Sequence, residues 1–507
     1  MAIRPTFYGF EMAKTALSAS QKSIDITGQN IANINTPGYS RQRVNLSSVG
    51  PGGINWKYAL HPSELVGLGV NVDSIKRVRD EFLDIRFRKS LGESTRLSIK
   101  LDVLGSMENY IDEFVSSNGI LQNTLLEFQN ALQNLHMGSD EAEFSRMTMS
   151  AAVNLTTTSR EVARKIDELL YESYDRLDFV KNEINRISQA LSDINKEIKN
   201  EYLLGSASNE LLDKRDLLLD QLASYGEVKV MPALNNKGEF TGGLNIYFGE
   251  ITEGFEEDSL LVSGEKVWYN TFEFDKESVP ARLTWADGTN ADGDFITKTG
   301  EIFAYYEMIN GIGDATETGD NADFAAKGIK YFANMLNNYI SLIAEEFNSL
   351  NLDMPLFISS DGEDINALNI TISSEWQNDP SYLIKTLESS ATAGASRNDN
   401  ILRMIYALKR EDREFPDGYV GSFLQYVTSI NAEMSLEIDY NNKRLNTADI
   451  NLLTIDMLRS SVMDVDSDEE AMNLLKFQKS YNAAARFMTT LDEMLDIIVN
   501  RLGIVGR

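Results

Sequence analysis

The C-terminal heptads constrain this chain more than any other feature. Leu474, Tyr481, Met488, Leu495 and Leu502 recur at strict sevens, and Phe477, Ala484, Leu491 and Ile498 each follow the first four by three residues. Nine a and d positions, all apolar, specify a coiled-coil seam. At 1.5 Å per residue the stretch 474–502 spans roughly 43 Å. Its start is signalled by Ser467-Asp468-Glu469-Glu470, a capping residue type followed by acids suited to the positive end of a helix dipole. The other end of the chain carries a matching pattern. Phe10, Leu17, Ile24 and Ile31 are seven apart, with Ala13, Ser20, Thr27 and Ile34 at the companion positions. Many companions are small, so a partner helix can approach closely. Phe7 to Ile34 is roughly 42 Å long by the same rise. Two amphipathic helices of equal length at opposite termini suggest that they pair; the alternative is two surface helices lying on a central body.

The first helix has to stop at Asn35-Thr36-Pro37-Gly38, because proline disfavours helix in the residue before it and glycine permits the turn after it. Residues 39–80 have no helical period and several glycines, with a short alternation at Val70 and Val72, and read as extended and loop-rich. Helical stripes return from about Asp80: Leu97, Leu101, Leu104, Ile111 and Phe114, then Leu121, Leu125, Phe128, Leu132 and Leu135. The longest runs through Val162, Ile166, Leu177, Ile184, Leu191 and Ile198. Two more lie downstream, from Ile329 to Leu350 and from Phe423 to Leu452. Between about Val228 and Thr299 the period changes to two, as in Leu244-x-Ile246-x-Phe248, with turn residues at Asn235-Asn236-Lys237-Gly238 and Ser263-Gly264.

The expected architecture is mainly α with an inserted β domain. Paired terminal coiled-coil helices come from 1–40 and 465–507, and an extended linker from 41–80. A long helical bundle is built from both halves of the chain, 81–227 and 300–464, with a small irregular or β segment near 353–400. A small outer β domain, 228–299, sits in the middle.

Composition removes most catalytic chemistry. The 507 residues include no cysteine and only two histidines, His61 and His136, which excludes thiol nucleophiles, thiolate-bound zinc and histidine-rich metal motifs. Forty-seven basic against 77 acidic residues leave a net charge of −30, without the basic footprint of a nucleic-acid binder. No apolar run is long enough to span a bilayer, so membrane insertion is not expected. Glu11 and Lys14 interrupt what would be the apolar core of a secretory signal, so the cytoplasm is the default unless the chain leaves by a route needing no such signal. Gly67-Leu68-Gly69 lacks the third glycine of a dinucleotide loop. Asp464, Asp466 and Asp468 alternate like a calcium loop, but Glu469 stands where glycine is required. Asp292-Gly293-Asp294 reads as a solvated turn. Trp268 and Trp285 of the insert read as core residues, with an exposed adhesive role as the alternative. No catalytic residue, cofactor site or metal site is expected.

The stretch Asn30-Ile31-Ala32-Asn33-Ile34-Asn35-Thr36-Pro37-Gly38-Tyr39 resembles the shared core of the flagellar axial proteins. Its continuation Ser40-Arg41-Gln42 is most similar to the hook-associated members that form the first hook–filament junction. Three further blocks look like the same branch: Gly69-Val70-x-Val72-x₂-Ile75-x-Arg77-x₂-Asp80-x-Phe82-Leu83-x₂-Arg86, Leu211-Leu212-Asp213-x-Arg215-Asp216-x₃-Asp220-Gln221-Leu222, and Asp468-Glu469-Glu470-Ala471-x-Asn473-Leu474-x₂-Phe477-Gln478-x₂-Tyr481. The resemblance implies a structural, non-enzymatic part of the bacterial flagellum. Its terminal helices would form the innermost tube, with the bundle around them and the β domain projecting outward. It implies export through the flagellar type III apparatus to an extracellular site between hook and filament, in a homo-oligomeric ring. The implied partners are hook protein, the second junction protein, and an export chaperone on the C-terminal helix. Hook or distal-rod protein remains the alternative within the family, and an adhesive insert the alternative outside it.

Overall fold

The computed structural model describes residues 7–49, 69–115, 119–138, 141–205, 208–249, 259–275, 282–285, 298–313, 325–352, 354–387 and 398–501. Leu502, His61, Gly67 and the turn at Asp292–Asp294 lie outside the described residues, and nothing is said of the side chains of Ile111 and Phe114.

The helical mass is organised around α4 (Glu141–Leu203), 63 residues and roughly 95 Å long. It follows α1 (Phe7–Ala32), the hairpin β1 (Gln42–Ser48) and β2 (Val70–Arg77), α2 (Glu81–Val115) and α3 (Ile120–Met137). Serine and threonine tolerate the interior of α4 because their hydroxyls bond back to the preceding turn, as Ser159 does to Leu155 and Ser188 to Ile184. Helices α3 and α5 (Asn209–Tyr225) pack along α4.

After the β strands come α6 (Gly300–Asn310), α7 (Ile329–Leu350), the short α8 (Ser374–Asn378) and α9 (Asp399–Lys409). The chain closes with α10 (Phe423–Met463) and α11 (Ser467–Asp496), which continues as a π-type turn through Arg501. α10 runs antiparallel to α2: Arg459 meets Asp84 at one end, and Lys100 meets Glu437 further along. Helix α6 is buried at every position from Gly300 to Asn310 except Glu301. A helix apolar on all sides has no stripe, which is why periodicity does not reveal it.

The middle of the chain forms a four-stranded antiparallel sheet, β3 (Val228–Leu234), β4 (Phe240–Phe248), β5 (Leu260–Ser263) and β6 (Trp268–Tyr269). Beside it is the pair β7 (Phe272–Asp275) and β8 (Arg282–Trp285), and a further pair, β9 (Phe357–Ser359) and β10 (Ile370–Ile372), lies downstream. The insert is not separately cored. Ile246, Phe248, Val262, Phe272 and Trp285 belong to the same apolar cluster as Ile184, Ile187 and Leu191 of α4. Two asparagines of α4 fasten strands to the helix: Asn185 bonds both the carbonyl and the N–H of Phe272 (3.0 and 2.8 Å), and Asn195 does the same to Leu244 (3.0 and 3.3 Å). Sheets this small cannot enclose a core of their own and complete it on the helix. Trp285 stacks on Phe272 at 4.2 Å, in the core as expected. Trp268 departs from that expectation and is 48% exposed. The residue before it, Val267, has φ +53°, outside the strand region, so β6 begins only at Trp268.

At the far end of the bundle Phe128 is fully buried against Phe347 (5.2 Å) and Phe357 (6.3 Å). Phe128→Ala is expected to cost about 3–5 kcal/mol through the cavity left between α3 and α7. A fall in the denaturant midpoint of unfolding of that size checks it.

Candidate functional site

The two terminal helices pair antiparallel. A β-carbon placed on Gly9 would lie 2.9 Å from Leu491, and at the other end Asn30 bonds Glu470 (3.2 Å). The partially or fully buried line on α11 runs through Leu474, Phe477, Ala484, Met488, Leu491 and Leu495, the heptad positions of the sequence pattern. Tyr481 and Ile498 lie on that line too, but exposed.

On α1 the order is reversed. Ala13, Ser20 and Thr27 are buried, together with Ala19 and Ser23, whereas the larger Phe10, Leu17 and Ile24 are half-buried and Ile31 and Ile34 exposed. The close approach is made by the small side chains, which leaves the large ones flanking the contact rather than filling it. α1 also ends at Ala32, so Ile34 stands in the turn that follows, outside the helix.

Behind this pair lies a polar node. The Asn30 carboxamide is 1% exposed and fully used. Its Nδ2 donates to the Gln42 carbonyl (2.9 Å) and to Glu470, and its Oδ1 accepts from the Gln42 N–H (3.0 Å) and the Tyr39 hydroxyl (2.9 Å). Asn33 closes the turn, donating to the Gln29 carbonyl and accepting from Thr36. Gly38 sits at φ +77° with Leu217 of α5 only 3.2 Å from where a β-carbon would be, so both conformation and space call for glycine. Asn35 and Pro37 are exposed on the turn. Arg41 then forks onto both oxygens of Glu469 (2.9 and 2.8 Å), reaches Glu470 (2.8 Å), and donates its N–H to the carbonyl of Met463. It thereby ties the end of α10 to the start of α11. The cap of α11 is Asp466, which accepts from the N–H groups of Asp468 and Glu469, not the expected Ser467.

The node continues into the bundle. Asp213, Asp216 and Asp220 lie three and four residues apart, which sets three carboxylates on one face of α5. Such a face is usually solvated; here it is buried against arginines from three other segments. Arg77 bonds Asp213 (2.8 Å) and Asp216 (2.7 Å), Arg88 bonds Asp220 (2.7 Å), and Arg79 and Arg459 both bond Asp84 (2.7 Å). Arg459 also pairs with Asp220. Ser40 joins this set to the motif, its N–H on Asp213 and its hydroxyl accepting from Arg79.

Burial opposes charge on Asp216, but Arg79, Arg77 and Arg88 together hold its carboxyl below the ordinary 3.8. Burial pushes Arg215 down to about 10. Burial, then Asp213, Glu210 and Glu470, pushes Tyr39 up to about 12, so its hydroxyl stays a donor. Sequence reasoning found the motif residues but not their ionic partners; the spacing of Asp213, Asp216 and Asp220 was the available signal. Among the described residues no group of three or more carboxylates or histidines is placed to hold a metal, and no helix is long and apolar enough to cross a membrane.

Comparison with known proteins follows the same division. A family model described as "Flagellar hook-associated protein FlgK helical domain" matches residues 104–353. "Flagella basal body rod protein" matches 10–39, and "Flagellar basal body rod FlgEFG protein C-terminal" matches 460–502. The node lies where the two terminal matches end and begin. Flagellar hook-associated protein 1 of Bacillus subtilis is 27% identical over 99% of both chains. The protein of that name from Salmonella typhimurium is 24% identical over 43% of this chain and 38% of its own. The solved structure of the flagellar hook junction protein FlgK from Burkholderia pseudomallei covers 56% of this chain and 46% of its own, with 16% identity and a TM-score of 0.41. The helical bundle, the antiparallel terminal pair and the rod-type ends together define a structural flagellar axial protein. Within that class the chain resembles hook-associated protein 1 along its whole length.

Two outcomes test the node. Asn30→Ala strands the Gln42 N–H and the Tyr39 hydroxyl, and is expected to cost about 1–3 kcal/mol for each group left buried without a partner. Faster amide exchange at residues 39–42 than at α4 would register it. Because the folded Asp216 titrates below 3.8, its contribution is fully present above that pH and lost as pH falls through the folded value. Unfolding midpoints are therefore expected to be flat at mild acidity and to drop below about pH 4, less steeply in Asp216→Asn.

Proposed function

We propose that this protein forms the ring joining hook to filament in the bacterial flagellum. The carrying observation is the full-length likeness to a relative named hook-associated protein 1. The structure supplies an assembly surface suited to that role. Apart from Glu470, only Ala484 is buried on α11 among the described residues, while Met472, Leu475, Phe487 and Met494 are exposed. Two helices alone cannot cover both flanks of their seam; neighbouring copies can.

In this reading the terminal pair 1–40 and 465–507 is the axial core, and Phe10, Leu17, Ile24, Ile31, Ile34 and the heptad residues of α11 make the contacts between copies. The bundle surrounds that core and the β segment faces outward. Hook protein lies on one side of the ring and the second junction protein on the other. Export goes through the flagellar type III apparatus to the extracellular surface, with a chaperone holding the apolar face of α11 as a helix-in-groove ligand beforehand. The mechanism is adaptation of shape between a bending hook and a stiffer filament, with no chemical step.

Deletion of the gene tests the assignment. Electron microscopy is expected to show complete hooks without filaments, with flagellin in the medium. Absent hooks would move the protein to the rod or hook, and normal filaments would remove the axial reading.

A further inference from the structure

The two most exposed leucines of the described chain are adjacent. Leu203 and Leu204, at the end of α4, are 77% and 89% exposed. They are held, not loose: the Leu204 N–H bonds the Glu201 carbonyl (2.9 Å), Gly205 turns the chain at φ +125°, and the Tyr202 ring packs edge-on against Phe240 at 5.4 Å. Phe240 pairs in the hairpin with Leu234, and both are exposed. Large apolar side chains exposed both at a helix end and on the strand packed against it mark a contact surface.

Its position says with what. Five residues on, Asn209 bonds Gln42 (3.0 Å) and Glu210 bonds Gln29 (2.7 Å), so the leucines sit at the node, beside the helices on which copies assemble. The same end of the molecule carries a groove of about 420 Å³ between α2, α5 and α10. Its apolar lining is Phe87, Leu91, Leu217 and Met463, with Gly38 beside them; of the charged residues around it Asp220 and Arg459 are paired to each other, and Asp456 is the third. Each copy carries a net charge of −30, so copies repel and must meet through uncharged surface. Both the leucine pair and the apolar lining of the groove are uncharged.

We propose that Leu203 and Leu204 of one copy seat in the α2–α5–α10 groove of the next. This deepens the ring reading and rests on it. Knob and groove are different surfaces, so the contact is heterologous and propagates around the axis instead of closing a dimer. The groove lies up α5 from the leucines, with roughly 12 Å of helix between Asn209 and Leu217. Successive copies are therefore staggered along the axis.

The chain has no cysteine, which makes the test clean. Leu204→Cys and Gln221→Cys are both exposed positions that folding tolerates. Within one copy they are separated by roughly 18 Å of α5 alone, too far for a disulfide, which needs Cα atoms within about 7 Å. Flagella purified from cells carrying the double variant and oxidised with copper phenanthroline are expected to give a ladder of covalent oligomers on non-reducing gels, and neither single variant to give one. A chain present in those flagella, with filaments formed, but giving no ladder overturns this contact and leaves the ring reading intact. A chain absent from flagella of filamented wild-type cells overturns the ring reading, and the contact falls with it. As a second measure, Leu203→Asp with Leu204→Asp is expected to leave the monomer's melting unchanged while losing incorporation into flagella. Unchanged incorporation also overturns the contact.

Discussion

The packing of arginines onto the α5 carboxylates is the constraint on which the rest of the molecule depends. Asp213, Asp216 and Asp220 gather Arg77 from the end of β2, Arg79 from the turn after it, Arg88 from α2 and Arg459 from α10. Ionic groups buried in this way contribute less net stability than their short distances suggest, because desolvation takes back much of the attraction. What they do impose is geometry. The arginine charges are met only where these carboxylates stand, so the β2–α2 stretch and α10 share one register with α5. Asn30 and Arg41 extend that register to the terminal pair through Glu470.

Much of this was readable beforehand because it is written in periodicity. The α11 heptads mark the half-buried line of that helix, and the stripes of α2, α3, α4, α7 and α10 each correspond to an observed helix. What escaped has a physical reason in each case. Helix α6 is buried at every residue but Glu301 and has no stripe. Strand β1 carries Gln42, Arg43, Asn45 and two serines, so neither face is apolar enough to signal a strand before its pairing with β2 is known. On α1 the large apolar residues were given the central place and hold the flanks instead, because helix separation is set by the smallest facing side chains, and those are alanine, serine and threonine.

The insert shows the same limit of pattern reading at a larger scale. Its alternation correctly indicates strands, but alternation says only that one face is buried, not what buries it. The answer lies in Asn185 and Asn195, two polar residues interrupting the apolar stripe of α4, whose amides bond strand backbone where a neighbouring strand would otherwise do so. A polar residue on a buried helix face carries information about a neighbour that hydrophobic periodicity does not.

In the proposed ring, node and terminal pair divide the work of the subunit. At the node the Asn30 carboxamide makes four bonds within one copy, and Asp216 pairs there with Arg77 and Arg79. The terminal pair is incomplete, with its small residues in contact and its large ones on the flanks. Placing directional, self-satisfied polar contacts at the base of the helices fixes where they point before any neighbour arrives. Apolar contact, which is non-directional, is left for assembly, where direction is already settled. The reverse arrangement would fail: an apolar base would let the helices swing, and an unsatisfied polar seam would cost desolvation at each added copy. In the proposed ring, the polar motif at residues 30–42 is bonded within its own copy and aims the helices that meet the next.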